Sequence, residues 1–245
     1  GLGVSHHWIV QDQLGLPYQR PAALMRDTLQ VLSAAFAGPG PVDVENDSYR
    51  VHNPLDVIDA TAMPTLIAAL APVMLRIAGE LTSGTILWLA DERAIGDHVV
   101  PRITKAATAA GRPAPRVVAG VPVALCANRD VDAARTYASE ILGHAHFSPN
   151  YERLLEHGDA RDVGDTMAAG DESGILARLQ RYRDAGVTDL AARIVPLGDV
   201  SGVAAGCPPG GVRCGQCGDE PAPARLASVR LVEVLGMEGG AGSTS

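Results

Sequence analysis

The chain has little cysteine, no surplus of positive charge and no long apolar run. Four cysteines in 245 residues are not the disulfide framework of a small secreted domain. With 20 Lys and Arg against 28 Asp and Glu, the net charge is −8. That balance argues against nucleic acid or an acidic membrane surface as a partner. No apolar stretch reaches the roughly 18 residues of a membrane-spanning helix. Gly1 opens the chain and no signal-peptide pattern follows it. A cytoplasmic protein with neither nucleic-acid nor membrane partner is therefore expected. What is present is apolar bulk. At 47% hydrophobic, the chain can bury a sizeable core, and one large α/β domain is expected rather than two small ones.

The most informative stretch runs from Pro64 to Ala90. Thr65 to Leu70 is a short apolar run, as in a strand buried on both faces. Pro72 stands where a first helical residue belongs, because its missing N–H is unpaired there anyway. Met74, Ile77, Ala78 and Leu81 recur at helical spacing and predict one apolar face. Ser83-Gly84 ends the helix, and Thr85 to Leu89 reads as the next strand. This βαβ unit implies parallel strands and a right-handed crossover. The turn Ala69-Leu70-Ala71 points the free N–H groups of a helix N-terminus outward, a place that suits a phosphate.

Elsewhere the same periodicities recur. Pro21 opens a helix to Phe36, with Met25, Leu29, Leu32 and Phe36 as its stripe. Val42 to Asn53 reads as a hairpin turning at Glu45–Ser48. Asp97 to Ala110 predicts a helix with Val99, Val100, Ile103, Ala106, Ala107 and Ala110 inward and Pro101 in its first turn. Arg116 to Leu125 is a strongly apolar strand in which Gly120 and Pro122 suggest a bulge or an irregular edge. Cys126 follows it and reads as packing rather than a nucleophile. Helices are expected over Asp130–Leu142, after Ser148 as N-cap, and after Asp171 with Ile175, Leu179 and Tyr182 inward and Gly186 beyond the end. Thr188 to Val195 is the last apolar strand. His144 and His146 read as a polar linker. From Gly198 the composition turns to Gly, Pro and Cys. Cys207, Cys214 and Cys217 supply only three zinc ligands, so no metal is expected.

Alternating strands and helices fit a doubly wound sheet or a (β/α)8 barrel, and about five strands are countable. Five segments sharpen the choice: Gly1-Leu-Gly-Val-Ser5, Arg20-Pro-Ala-Ala-Leu-Met-Arg26, Ala68-Ala-Leu-Ala-Pro72, Ala78-Gly-Glu-Leu-Thr-Ser-Gly84 and Asp184-Ala-Gly-Val-Thr-Asp189. Together they resemble the bacterial luciferase-like monooxygenase superfamily, and in particular its branch that uses coenzyme F420, a deazaflavin. Their order and spacing over about residues 1 to 197 carry the likeness.

The resemblance implies an α/β fold of TIM-barrel type, with about the C-terminal five βα units present and an N-terminal truncation. Residues 1–198 would form that partial barrel, 199–223 an irregular segment, and 224–245 a terminal helix and disordered tail. It also implies where a cofactor lies. Gly3, Val4 and Ser5 would pass beside the ring. His6 and His7 would stand near the substrate, as imidazoles able to pass a proton near neutral pH. Ala69, Leu70 and Ala71 would hold the phosphate, and Gly84 and Thr85 would approach the cofactor tail. Ala71 stands where the family prefers Gly. Its methyl is expected to crowd the phosphate or to force a different backbone angle. The implied activity is hydride transfer between coenzyme F420 and a small organic substrate. The alternatives are an FMN-dependent monooxygenase, whose reduced cofactor reacts with oxygen, and a non-catalytic fragment. Open sheet edges predict a homo-oligomer.

Overall fold

The computed structural model describes residues 1–55, 61–143 and 148–197. The expectations for His144, His146, the segment 199–223 and the tail 224–245 lie outside these residues. No helix among the described residues is long and apolar enough to cross a membrane.

After a wide helical turn at Trp8–Gln13, helix α1 (Pro21–Ala35) buries Met25 and Leu29. Strands β1 (Gly40–Glu45) and β2 (Arg50–Leu55) form the antiparallel hairpin. Asn46 closes it, its Oδ1 accepting the N–H groups of Ser48 and Tyr49 at 3.1 and 2.8 Å.

A second, parallel sheet holds β3 (Ile67–Ala68), β4 (Gly84–Trp88), β5 (Arg116–Leu125), β6 (Ala168–Gly170) and β7 (Asp189–Ile194). Among the described residues it is an open arc, since β7 pairs with β5 and does not return to β3. The expected strand Thr65–Leu70 is paired over only two residues of β3. Its other neighbour is a single bridge from Leu2 to Ile67, too little partner to extend the ladder.

Strand β5 is regular, not bulged, and central. Its even residues face one edge: Arg116 N–H bonds Ser83 beside β4, and Cys126 N–H bonds Gly170 at the end of β6. Its odd residues face β7, where Val117 and Val123 accept from Thr188 and Val195. Pairing with β4 stops at Gly120 and pairing with β6 starts at Val123. Pro122 falls in that gap, so its missing N–H interrupts no ladder. Gly120 is required because a Cβ there would meet the Trp88 ring at 2.5 Å.

Helix α2 (Pro72–Leu81) is rotated from its predicted face. Leu75, Ile77, Ala78 and Gly79 are buried, whereas Met74 and Leu81 are half-buried. Gly79 sets the rotation: a Cβ there would lie 2.5 Å from the Ile103 carbonyl and 2.7 Å from Ala106 Cβ. Helix α3 (Val100–Ala109) buries Ile103, Ala106 and Ala107. It continues a helical segment already running over Ala94–Val99 with wider turns, so the predicted start at Asp97 is too late. The widened turns relieve the clash of Pro101 with the preceding carbonyls. Asp91 caps this segment, its Oδ1 accepting Ala94 N–H at 2.8 Å. Helices α4 (Val131–Leu142), α5 (Pro149–Leu155) and α6 (Glu172–Asp184) follow. Asp171 caps α6 through Gly174 N–H at 2.8 Å, and Gly186 takes φ +98° beyond its end. Ser148 occupies the N-cap position of α5 without a side-chain cap bond. Tyr182 on α6 is fully buried, and its O–H is shared between the Ala90 and Thr166 carbonyls. Cys126 is half-buried and packs against the core built on Leu89, Ala138 and Met167.

Candidate functional site

Ala71 is the N-cap residue of α2, with φ −85° and ψ 152°. Any residue adopts that extended backbone, so its methyl forces no unusual angle. No side chain caps α2, and Pro72 has no N–H. The N–H groups of Val73 and Met74 therefore lack partners within the helix. At this point a cavity of about 270 Å³ opens, walled by Leu70, Ala71 and Pro72 from the turn. His98 and Arg102 line its second side, and Asn150, Arg153, Leu154 and His157 its third. Among the described residues, two arginines, two histidines and no carboxylate face it. The helix dipole adds partial positive charge at the same end.

His98 is only 4% exposed. Its Nε2 donates to the Leu70 carbonyl at 3.1 Å, and its ring stacks on His157 with centroids 4.0 Å apart. Its Nδ1 is buried without a hydrogen-bond partner among the described residues. Burial holds the imidazole below its ordinary pKa, and Arg102 and His157 push it the same way against the Leu70 hydrogen bond. The neutral ring therefore prevails at neutral pH, with an open lone pair on Nδ1.

The N-terminal residues divide between two places. Gly3 and Val4 line a second cavity of about 270 Å³ with Leu2, Tyr18, Met25 and Tyr49 among its walls. Ser5 has φ +60°, and its carbonyl accepts from Tyr18 O–H at 3.3 Å. His6 is half-buried, stacked on Trp8 at 4.3 Å and tilted against Tyr151 at 6.1 Å. Tyr151 belongs to α5, which also supplies Asn150 and Arg153 to the turn cavity. Burial and the neighbouring His7 lower the His6 pKa. His7 itself is exposed and meets the edge of Trp8.

A luciferase-like monooxygenase family profile matches residues 1–189. The chain belongs to the luciferase-like monooxygenase family. Its fold is similar to that of an F420-dependent secondary alcohol dehydrogenase in complex with an F420–acetone adduct: TM-score 0.61 and 15% identity, over 78% of this chain and 62% of that one. It is also similar to the coenzyme F420-dependent tetrahydromethanopterin reductase from Methanopyrus kandleri, with TM-score 0.58 and 20% identity over 80% and 68% of the two chains. A third similar fold is the oxygenating constituent of 3,6-diketocamphane monooxygenase from Pseudomonas putida in complex with FMN. There the TM-score is 0.56 at 14% identity, over 83% of this chain and 65% of that one. The luciferase-like chain described here thus spans 62% to 68% of the length of these three structures.

Within this luciferase-like fold, Gly84 and Thr85 lie at the start of β4 and line neither cavity. Packing accounts for both. Gly84 has φ +149°, and a Cβ there would run into the Arg116 backbone. Thr85 is buried and its hydroxyl donates to the Ile67 carbonyl at 3.0 Å. Ala69 is buried behind the turn, and Leu70 and Ala71 face the cavity. The residues that sequence reasoning missed are His98, Arg102, Arg153 and His157. His98 and Arg102 come from one continuous helical segment, Arg153 from α5 and His157 from the loop after it, and only the fold assembles them. Among the described residues no His, Cys, Asp and Glu cluster is arranged to hold a metal.

The chemistry of this donor set fits a phosphate. Unpaired helix N–H groups, two guanidinium groups and the absence of a carboxylate from the wall among the described residues favour an anion.

Proposed function

We propose that the chain is the cofactor-phosphate-binding part of an oxidoreductase that uses coenzyme F420, with FMN as the alternative cofactor, on a small organic substrate. The observation that carries this reading is the cavity at the N-terminus of α2, with Arg102 and Arg153 in its wall and no carboxylate among the described residues that line it. The similarity of fold to two F420-dependent enzymes and one FMN enzyme supports the cofactor class. In this reading the N–H groups of Val73 and Met74 and the two guanidinium groups hold the phosphate, with Leu70 and Ala71 as the floor of the site. When bound, the cofactor supplies the hydride, as flavins and deazaflavins do. Gly3 and Val4 shape the apolar side of the ring site. His6 holds or passes a proton near the substrate, its lowered pKa keeping the imidazole neutral and able to accept. Self-association through open sheet edges is part of the same proposal.

Fluorescence titration of the purified chain with coenzyme F420 and, separately, FMN tests the reading. Saturable F420 binding, weakened by Arg153→Ala, is the expected result. Binding of FMN alone selects the monooxygenase alternative. Binding of neither reduces the chain to a non-catalytic fragment.

A further inference from the structure

A larger cavity, about 440 Å³, lies on the other side of the segment 157–160. His157 faces the turn cavity, while Asp159, Ala160 and Arg161 face this one. Its remaining wall is Asp91, Glu92 and Arg93 after β4, Arg135 on α4, Asp165, and Arg178 and Arg181 on α6. The carboxylates here are already engaged. Asp91 accepts the backbone N–H groups of Ala94, Asp159 and Ala160 at 2.8, 2.6 and 2.7 Å. Glu92 takes Arg178 at 2.8 Å and Arg181 at 3.0 Å. Asp159 takes Arg93 at 2.7 Å, and Asp165 takes Arg161 at 3.0 Å.

Pairing these groups off leaves cationic donors over. Among the described residues the Arg135 side chain makes no hydrogen bond or ion pair, and its Nε is buried; its charge acts on Asp165 only from a distance, helping to hold that carboxyl below its ordinary pKa. Arg178 reaches Glu92 and the Asp165 carbonyl through Nη2, and its Nε is buried without a partner as well. The Arg135 backbone is held close against Gly164, where a Cβ would meet the Arg135 carbonyl. A buried guanidinium N–H without an acceptor is costly, and a planar guanidinium matches the oxygens of a carboxylate or phosphate.

We propose that this cavity is a second anion site, in which Arg135 and Arg178 grip a phosphate or carboxylate group of a small molecule. The site stands whether or not the turn of α2 holds a phosphate. The anion has two possible sources: an anionic extension of a molecule seated in the adjacent turn cavity, or a separate ligand.

Calorimetric titration of the full chain with pyrophosphate at low ionic strength tests it. Expected is binding that Arg135→Gln weakens at least about tenfold, with the melting temperature not lowered by more than a few degrees, because the substitution breaks no hydrogen bond or ion pair. Arg135→Lys, which keeps the charge, should recover part of the affinity. Arg153→Ala, which alters only the turn cavity, should leave this binding in place. No binding by the unaltered chain, or an unchanged isotherm for Arg135→Gln, overturns the proposal. So does loss of all binding in Arg153→Ala alone. Repeating the titration with saturating coenzyme F420 names the source. Competition that Arg135→Gln relieves assigns the anion to the cofactor, and undiminished binding assigns it to another ligand.

Discussion

The two cavities flanking segment 157–160 use arginine in opposite ways. At the turn of α2, Arg102 donates to the His98 carbonyl, and Arg153 donates to the Pro149 carbonyl and Asn150 Oδ1. All three acceptors are neutral, and among the described residues no carboxylate lines that cavity. Across the segment, four of five arginines sit on carboxylates, and Arg135 is the one left over. The lesson is that a count of arginines does not find an anion site. What matters is the positive charge that remains after internal partners are paired off.

The largest expected effect comes from breaking the wall between the two. Asp91 is 4% exposed and holds three backbone N–H groups, two of them in the dividing segment. Hydrogen bonds to a charged acceptor are worth about 1.5–3 kcal/mol each and are not additive. Asp91→Ala should therefore destabilise the fold by roughly 3–5 kcal/mol in a denaturant titration. Asp91→Asn, which keeps one acceptor oxygen, should lose less. A loss under about 1 kcal/mol would show that Asp91 does not hold the segment in place.

Next in size is a charge reversal confined to the turn. Ala71→Asp places a carboxylate beside Val73 and Met74 N–H and should abolish coenzyme F420 binding, since helix N-termini favour only one anion at a time there. Ala71→Gly should keep or tighten it. The same Ala71→Asp chain should bind pyrophosphate across the segment as before. If F420 affinity is unchanged, the phosphate lies elsewhere. Arg153→Ala should act in the same direction with a smaller loss, about tenfold, because Arg153 is one of several donors.

Local chemistry made much of the fold legible. Pro at the first helical position, Gly at φ > 0 beyond an end and Asp at the N-cap mark α1, α2 and α6, and the structure keeps all three. What failed depended on partners distant in sequence. Gly79 rotates α2 only because Ile103 and Ala106 press on it. Pro122 signals an edge, yet sits centrally because two strands share one side of β5 end to end. Strand β6 is Ala-Ala-Gly, with no β-branched or aromatic residue to announce it. The turn Ala69–Ala71 was readable as a helix N-terminus. Its cationic walls were not, because His98, Arg102 and Arg153 reach it from two other helical segments.

The smallest expected effect separates the cavities by pH. Among the described residues His98 lines the turn cavity, and no histidine lines the other. Burial, Arg102 and His157 hold the folded His98 pKa below its ordinary 6.5 despite the bond to Leu70. The unfolded chain then binds the proton more readily than the folded one. His98 contributes stability that is complete above pH 6.5 and is lost as pH falls from 6.5 towards the lower folded value. The denaturant midpoint should hold steady from about pH 8 to 7 and decline below about 6.5. His6, lowered in the same direction, adds to that slope, so His98→Gln should reduce it without removing it. The lowered carboxylates Asp165, Asp171 and Asp189 act only nearer their ordinary 3.8 and leave this window clear. An anion at the turn must oppose the shift, because a negative charge in the cavity that His98 lines favours the protonated imidazole. The His98 ring, followed by NMR, should titrate at higher pH with coenzyme F420 than without it. By linkage F420 should then bind more tightly as pH falls through that range. A His98 titration unmoved by F420 would mean that no negative charge comes to rest in the turn cavity.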